Sequence, residues 1–269
     1  MHSNWEVTSE SNLNVLYHRG ALGSRYGWVL FLFASASFSA CHTPGPTPAV
    51  DDTPAEVLIA YSDVTQATGL GEFVHEAGAY GKYWFPETVG AGGAFFDYNG
   101  DGWLDVLLVA GGKWPGQGVE DVAALRLYEN TGEGGFIDVT AKAKLDAVHA
   151  FGFGVLAADF DNDNDQDVFF TTLGQNYLLR NEGGVFEDIT LEAGVAGHTD
   201  WSTTAMFFDA DKDGWLDLYV GNYVEWAPEL DLWCSLDDNK QSYCAPQEFE
   251  GEPAYFYHNN GDGTFSDWT

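Results

Sequence analysis

Positive charge is scarce in this chain. Ten Lys and Arg stand against 42 Asp and Glu in 269 residues, a formal net charge of −32. A molecule so acidic is repelled by phosphate backbones and anionic headgroups, which argues against nucleic acid and anionic membrane surfaces as partners. The residues before Cys41 hold only Glu6, Glu10, Arg19 and Arg25, so their removal leaves the charge unchanged. Cysteine is nearly absent as well. With three in the chain, and no His or second Cys pair at ligand spacing, a zinc site has nothing to stand on. No stretch after residue 40 keeps a 3.6-residue apolar period over three turns, which argues against a helical solenoid. Gly-x-Ser-x-Gly, His-Glu-x-x-His and a phosphate-binding glycine loop are all missing. Strong acidity often means disorder, but 10 Trp, 13 Tyr and 19 Phe, with 45% apolar residues, are the makings of a packed core.

What the chain does have is one acidic loop written three times. It runs Asp97-Tyr-Asn99-Gly-Asp101-Gly102-Trp103-Leu-Asp105, then Asp159-Phe-Asp161-Asn-Asp163-Asn164-Asp165-Gln-Asp167, then Asp209-Ala-Asp211-Lys-Asp213-Gly214-Trp215-Leu-Asp217. Oxygen side chains recur at positions 1, 3, 5 and 9. A hard cation such as calcium takes six to eight oxygens at about 2.3–2.6 Å, and a tight turn can aim alternate side chains at one point. Glycine at position 6 permits the turn. Position 7 (Trp103, Asp165, Trp215) then contributes its carbonyl, whatever its side chain. These are not EF-hands, which need a bidentate Glu at position 12 and flanking helices; position 12 here is Leu108, Phe170 and Val220. The flanks, such as Ala94-Phe-Phe and Val106-Leu-Leu-Val109, are rich in aromatic and β-branched residues, so each loop is expected to join two strands. A solvated hairpin turn is the alternative reading. Three copies with an extra Asp at position 9 favour about three calcium sites.

A second motif alternates with the first: Tyr61-Ser-Asp63-Val-Thr65, Phe136-Ile-Asp138-Val-Thr140, Phe186-Glu-Asp188-Ile-Thr190 and Phe265-Ser-Asp267-Trp-Thr269. Glycine-rich turns precede three of the four. The unit is strand, acidic loop, strand, strand, glycine turn, strand. Its shortest copy spans 50 residues from Phe136 to Phe186, and the longer copies carry insertions around Trp114–Ala124 and Glu225–Pro253. A four-stranded repeat of this length predicts propeller blades. About three full units and a fragment are present, fewer than the roughly four to eight of a closed ring, so we expect an incomplete propeller. Its open edge would be covered by more chain or by self-association. The ending on Asp267-Trp-Thr269 has the look of an interrupted chain.

The N-terminus reads as an export signal, residues 1–40, with an over-extended start. Arg19 and Arg25 precede the apolar run Trp28–Phe38, too short for a membrane span. Phe38-Ser-Ala-Cys41 resembles a bacterial lipoprotein box, which would make Cys41 the lipidated residue and the only membrane attachment; plain signal cleavage nearby is the alternative. Residues 41–56 form a Pro-rich tether, and 57–269 the blades. Cys234 and Cys244, ten positions apart in an exported chain, are expected to bridge.

These motifs resemble the FG-GAP/VCBS repeats of integrin α-subunit propellers. More closely, Trp201–Trp226, Tyr243-Cys-Ala-Pro246 and Tyr257–Phe265 resemble bacterial ASPIC/UnbV-type proteins related to cartilage acidic protein. The resemblance covers about residues 57–269. It implies an all-β fold, a β-propeller of FG-GAP-type four-stranded blades, calcium-binding, exported to the cell surface or periplasm and used for binding a protein or glycan. The family's calcium positions fall on the three loops. The chain departs from it in Asn164, which replaces a loop Gly, and in lacking the ASPIC/UnbV domain. Trp114, Trp226, Trp233 and Tyr243, in or beside the insertions, are candidates for ligand contact or for packing. The rival expectation is an extracellular polysaccharide hydrolase or lyase, for which His75, His149 and His198 could converge.

Overall fold

The structure, a computed structural model, describes residues 60–78, 81–112, 123–197, 200–237 and 240–269. The expected signal, Cys41, the tether, Trp114 and His198 lie outside the described residues. Among the described residues the regular structure is mostly β-strand, with one short α-helix and three 3-10 turns. The first sheet comprises β1 (Gly93–Phe96), β2 (Asp105–Val109), β3 (Leu125–Asn130) and β4 (Phe136–Asp138), antiparallel and in sequence order. The second repeats it with β5 (Gly152–Ala158), β6 (Asp167–Thr172), β7 (Tyr177–Asn181) and β8 (Phe186–Asp188). The third uses β9 (Ser202–Phe208) and β10 (Asp217–Asn222), then admits a separate hairpin, β11 (Cys234–Asp237) and β12 (Lys240–Ser242). It resumes with β13 (Tyr255–Asn259) and β14 (Phe265–Asp267). Each acidic loop thus joins the first two strands of a sheet. Among the described residues, no helix is long and apolar enough to cross a membrane.

The sheets stack face to face, and the period-2 alternation of side chains assigns residues to each gap. Leu107 and Val109 of the first sheet meet Val168, Phe170 and Leu179 of the second. Phe169 and Leu178 point the other way and meet Leu218, Val220 and Tyr257 of the third. β6 is therefore buried along its whole length. Burying a side chain such as Phe169 contributes about 1.5–3 kcal/mol, so the middle sheet is held from both sides. The first strands approach backbone to backbone: Gly92 N donates to Phe153 O at 2.6 Å, and a Cβ on Gly154 would sit 2.8 Å from Thr203 O. Only glycine allows that approach.

Among the described residues, one face of the third sheet is left uncovered. Leu107 and Phe169 are 0% exposed, whereas their counterpart Tyr219 is 36% exposed. Met206, Phe208 and Trp268 are exposed on the same face. At the other end, the Tyr61 motif keeps its Asx turn, with Thr65 N donating to Asp63 Oδ1 at 3.0 Å as Thr140 N does to Asp138 Oδ1 at 2.9 Å. Yet Tyr61 forms no strand and is 93% exposed.

Candidate cation loops and the aromatic end

The three loops are superimposable in their hydrogen bonds. The carboxylate at position 1 accepts from the N–H groups of positions 5 and 6: Asp97 from Asp101 and Gly102 at 3.0 and 2.8 Å, Asp159 from Asp163 and Asn164 at 3.1 and 3.1 Å, Asp209 from Asp213 and Gly214 at 3.2 and 3.1 Å. Position 5 accepts from position 7, at 2.8 Å in each of Asp101–Trp103, Asp163–Asp165 and Asp213–Trp215. Position 9 is the deep one. Asp105, Asp167 and Asp217 are all buried, and each accepts from the N–H of position 2 and from the N–H of a hairpin Asn on the third strand of its sheet. The extra Asp therefore ties loop, strand and hairpin together.

Two left-handed positions shape the turn. Position 6 has φ +88°, +79° and +93° at Gly102, Asn164 and Gly214. Position 4 is left-handed as well, at Gly100 (+72°), Asn162 (+59°) and Lys212 (+67°). Glycine and asparagine tolerate this region; lysine is strained there. The side chain at position 7, whose identity varies between the loops, is engaged in every copy. Trp103 and Trp215 lie over hairpin glycines, where a Cβ on Gly132 or Gly261 would fall 3.1 or 2.9 Å from the indole nitrogen. Asp165 instead accepts from Gly183 N at 2.7 Å.

The chemistry of this set is that of a cation cradle. Carboxylate oxygens of Asp159, Asp161 and Asp167 lie within 4.8 Å of one another, as do those of Asp209, Asp211 and Asp213. Burial first, then the repulsion of neighbouring carboxylates, pushes Asp161 up, and burial pushes Asp167 up to about 8. Asp105 is raised for the same leading reason. Asp161 Oδ1 is buried without a hydrogen-bond partner, an orphaned acceptor that a cation would satisfy. In the first loop Asn99 replaces an acid and its amide donates to Asp101 Oδ2 at 3.1 Å.

His258 went unnoticed in the sequence. It precedes Asn259 where the other sheets have Glu129 and Arg180. Its Nδ1 lies 3.1 Å from Asp217 Oδ1 and 3.7 Å from Asp211 Oδ2, with its ring stacked on Trp268 at 3.9 Å. Only the strand register reveals it. The corresponding Glu129 accepts from Lys142 at 2.8 Å and also meets the Tyr98 hydroxyl, and the lysine holds its carboxyl below the usual range.

At the opposite end of the sheets lies an aromatic cluster of Phe85, Phe151, Phe153, Trp201 and Trp226. Trp226 is 4% exposed and packs there, its indole N–H donating to Asp231 Oδ1 at 2.9 Å, whereas Trp233 is 64% exposed. Tyr243 is exposed too. Cys234 and Cys244 are joined by a disulfide across the base of the inserted hairpin. His75 Nδ1 lies 3.3 Å from Val109 O, and His149 is seen through its carbonyl, which accepts from Tyr177 OH at 3.4 Å.

A family model described as FG-GAP-like repeat matches residues 97–170 and 159–220. The chain therefore carries FG-GAP-like repeats over the segment that contains all three acidic loops. No curated protein matches it.

Proposed function

We propose that the chain is a calcium-bound β-propeller module of the ASPIC/UnbV type, exported and used to bind a protein or glycan. The observation that carries the reading is the threefold loop: carboxylates at positions 1, 5 and 9 of every copy, the same two left-handed positions and, in the second copy, a buried oxygen left without a partner. Side chains at positions 1, 3, 5 and 9 and the carbonyl of position 7 would hold the ion. Calcium would relieve the repulsion within each loop; bound only to the folded state, it stabilises by roughly 2.7 kcal/mol per site at a hundredfold excess over Kd. Calcium is favoured over magnesium because the loop offers many oxygens in a flexible arrangement.

The propeller reading is supported by sheets that stack in one sense, each repeating the last. Three of them leave the ring open. Met206, Phe208, Tyr219 and Trp268 would then be covered by a further blade, from more chain or another copy. Export with a lipid anchor at Cys41 would leave ligand contact to the loops at the aromatic end. We assign no catalysis, since the conspicuous acids are engaged in the cation loops or in the Asx turns of Asp63, Asp138, Asp188 and Asp267.

Calorimetric titration of calcium into the chelated chain, with thermal unfolding alongside, tests the reading. About three sites and a large rise in melting temperature are expected. A folded chain that binds no calcium would return the loops to the status of solvated turns.

A further inference from the structure

The acidic loops open the second strand of each sheet, and the long insertion leaves from the far end of β10, so insertion and cation loops lie at opposite ends. There the hairpin β11–β12 faces the segment around Tyr83 across a cleft of about 360 Å³, lined by Tyr83, Leu236, Lys240, Gln241, Ser242 and Tyr243. We propose that this cleft binds an acidic saccharide, a pyranose unit carrying a carboxylate. The proposal rests on the reading of the chain as a binding module and names its ligand class.

Three observations converge. First, Tyr83 has φ +59°, a conformation that bulky side chains rarely adopt. It sets the ring against Tyr243, with centroids 5.2 Å apart and planes at 60°. Strain of this kind persists where the surroundings impose it, and it clusters at ligand clamps. Both rings are exposed, offering π faces to the C–H face of a sugar.

Second, Lys240 lines the cleft and Lys82 precedes Tyr83 on its other wall, in a chain of −32, while the carboxylate of Glu87 is held by the Tyr243 hydroxyl. Lys82 and Lys240 are both exposed beside it, two of the seven Lys and Arg among the described residues. Neither forms an ion pair with a carboxylate whose side chain is described, unlike Lys142 with Glu129 or Arg180 with Glu182 and Glu187. A carboxylate-bearing ligand would use them, and Gln241 and Ser242 supply hydrogen-bonding groups for hydroxyls.

Third, the walls are pre-organised. The disulfide closes the hairpin, Tyr243 OH donates to Glu87 Oε2 at 3.1 Å, and Gln241 Nε2 reaches Lys82 O at 3.4 Å. Phe85 beneath stacks on Phe249 at 5.2 Å. A site ordered before binding loses less on binding.

The test is calorimetry on the calcium-loaded chain with a galacturonate tetramer, a neutral galactose tetramer and a Glu-rich peptide of equal charge. The galacturonate tetramer is expected to bind at least tenfold tighter than the other two. Tyr243→Ala and Lys240→Glu are each expected to weaken it at least tenfold, Lys240→Glu with the melting temperature kept, and Tyr83→Gly to weaken it while raising that temperature. Equal binding of neutral sugar or peptide, no binding by a folded chain, or an unchanged Tyr243→Ala variant overturns the proposal. Calcium stoichiometry, measured separately, tells failure of this site from failure of the cation loops.

Discussion

The side-chain amide of Asn181 donates to the carbonyl oxygen of Tyr98 at 2.8 Å, across the gap between the first and second sheets. Asn259 does the same to Phe160 O at 2.9 Å, across the next gap. Each hairpin Asn also bonds within its own sheet, to Gln166 O and Leu216 O. Asn130, in the first sheet, makes the equivalent inner bond to Leu104 O at 3.0 Å. The amide thus stitches each sheet to the one before it.

Asn181→Ala removes the inter-sheet bond and leaves the Tyr98 carbonyl buried without that donor. We expect a loss of about 2–4 kcal/mol in urea unfolding, against about 1 kcal/mol for Asn130→Ala, whose amide bonds Leu104 O within its own sheet. Equal losses would show that the inter-sheet bond contributes little.

Lys212 sits at the left-handed position 4 where the first loop has Gly100. Lys212→Gly relieves about 1–2 kcal/mol of backbone strain and adds about 0.5–1 kcal/mol of unfolded-state entropy. The expected net gain is about 0.5–1 kcal/mol, read as a higher melting temperature in chelator. A lower one would mean that the lysine side chain has a role of its own.

The calcium-free chain should lose stability as pH rises. Burial holds Asp167 protonated to about 8, against an ordinary 3.8, so the folded state binds the extra proton between those values. Its contribution is complete below about pH 4 and fades as pH climbs toward 8. Asp105 and Asp161, also raised, act in the same direction. Melting temperature in chelator should therefore fall from pH 5 to pH 8, and saturating calcium should flatten that slope. A chelated chain that gains stability over this range contradicts the assignment.

Met206 and Leu156 occupy equivalent positions on β9 and β5, but only Met206 is exposed. Met206→Glu should change stability by less than about 0.5 kcal/mol, as at other surface sites. Leu156→Glu places a charge between two sheets and should cost more than about 3 kcal/mol. Sedimentation of the Met206→Glu variant reads whether this face also mediates association: a wild-type dimer that dissociates on substitution would place the second copy there.

Much of this was legible in the chain. Strand–loop–strand units, hairpin turns and the cysteine pair depend on residues a few positions apart, and each has a local signature: a period of two, a glycine or an alternating row of aspartates. The FG-GAP-like repeat is legible for the same reason. Position 4 of the loop was not, because Gly, Asn and Lys share no pattern there and only the backbone reveals the common φ. Nor were the contacts of the position 7 side chains, since they run from the loop to the hairpin glycines of another turn. Trp226 and Trp233 are seven residues apart and equally apolar, and nothing local tells the buried one from the exposed one.

The sequence by itself determined the repeating unit and the acidic loops at its turns, because sterics and short-range hydrogen bonds decide those within each unit. Only the tertiary structure decided which face of each sheet is covered, which carboxylates lose their water and which aromatics stay in solvent. Those outcomes depend on partners such as Asn181 and Tyr98, which stand far apart along the chain and meet only once the sheets stack.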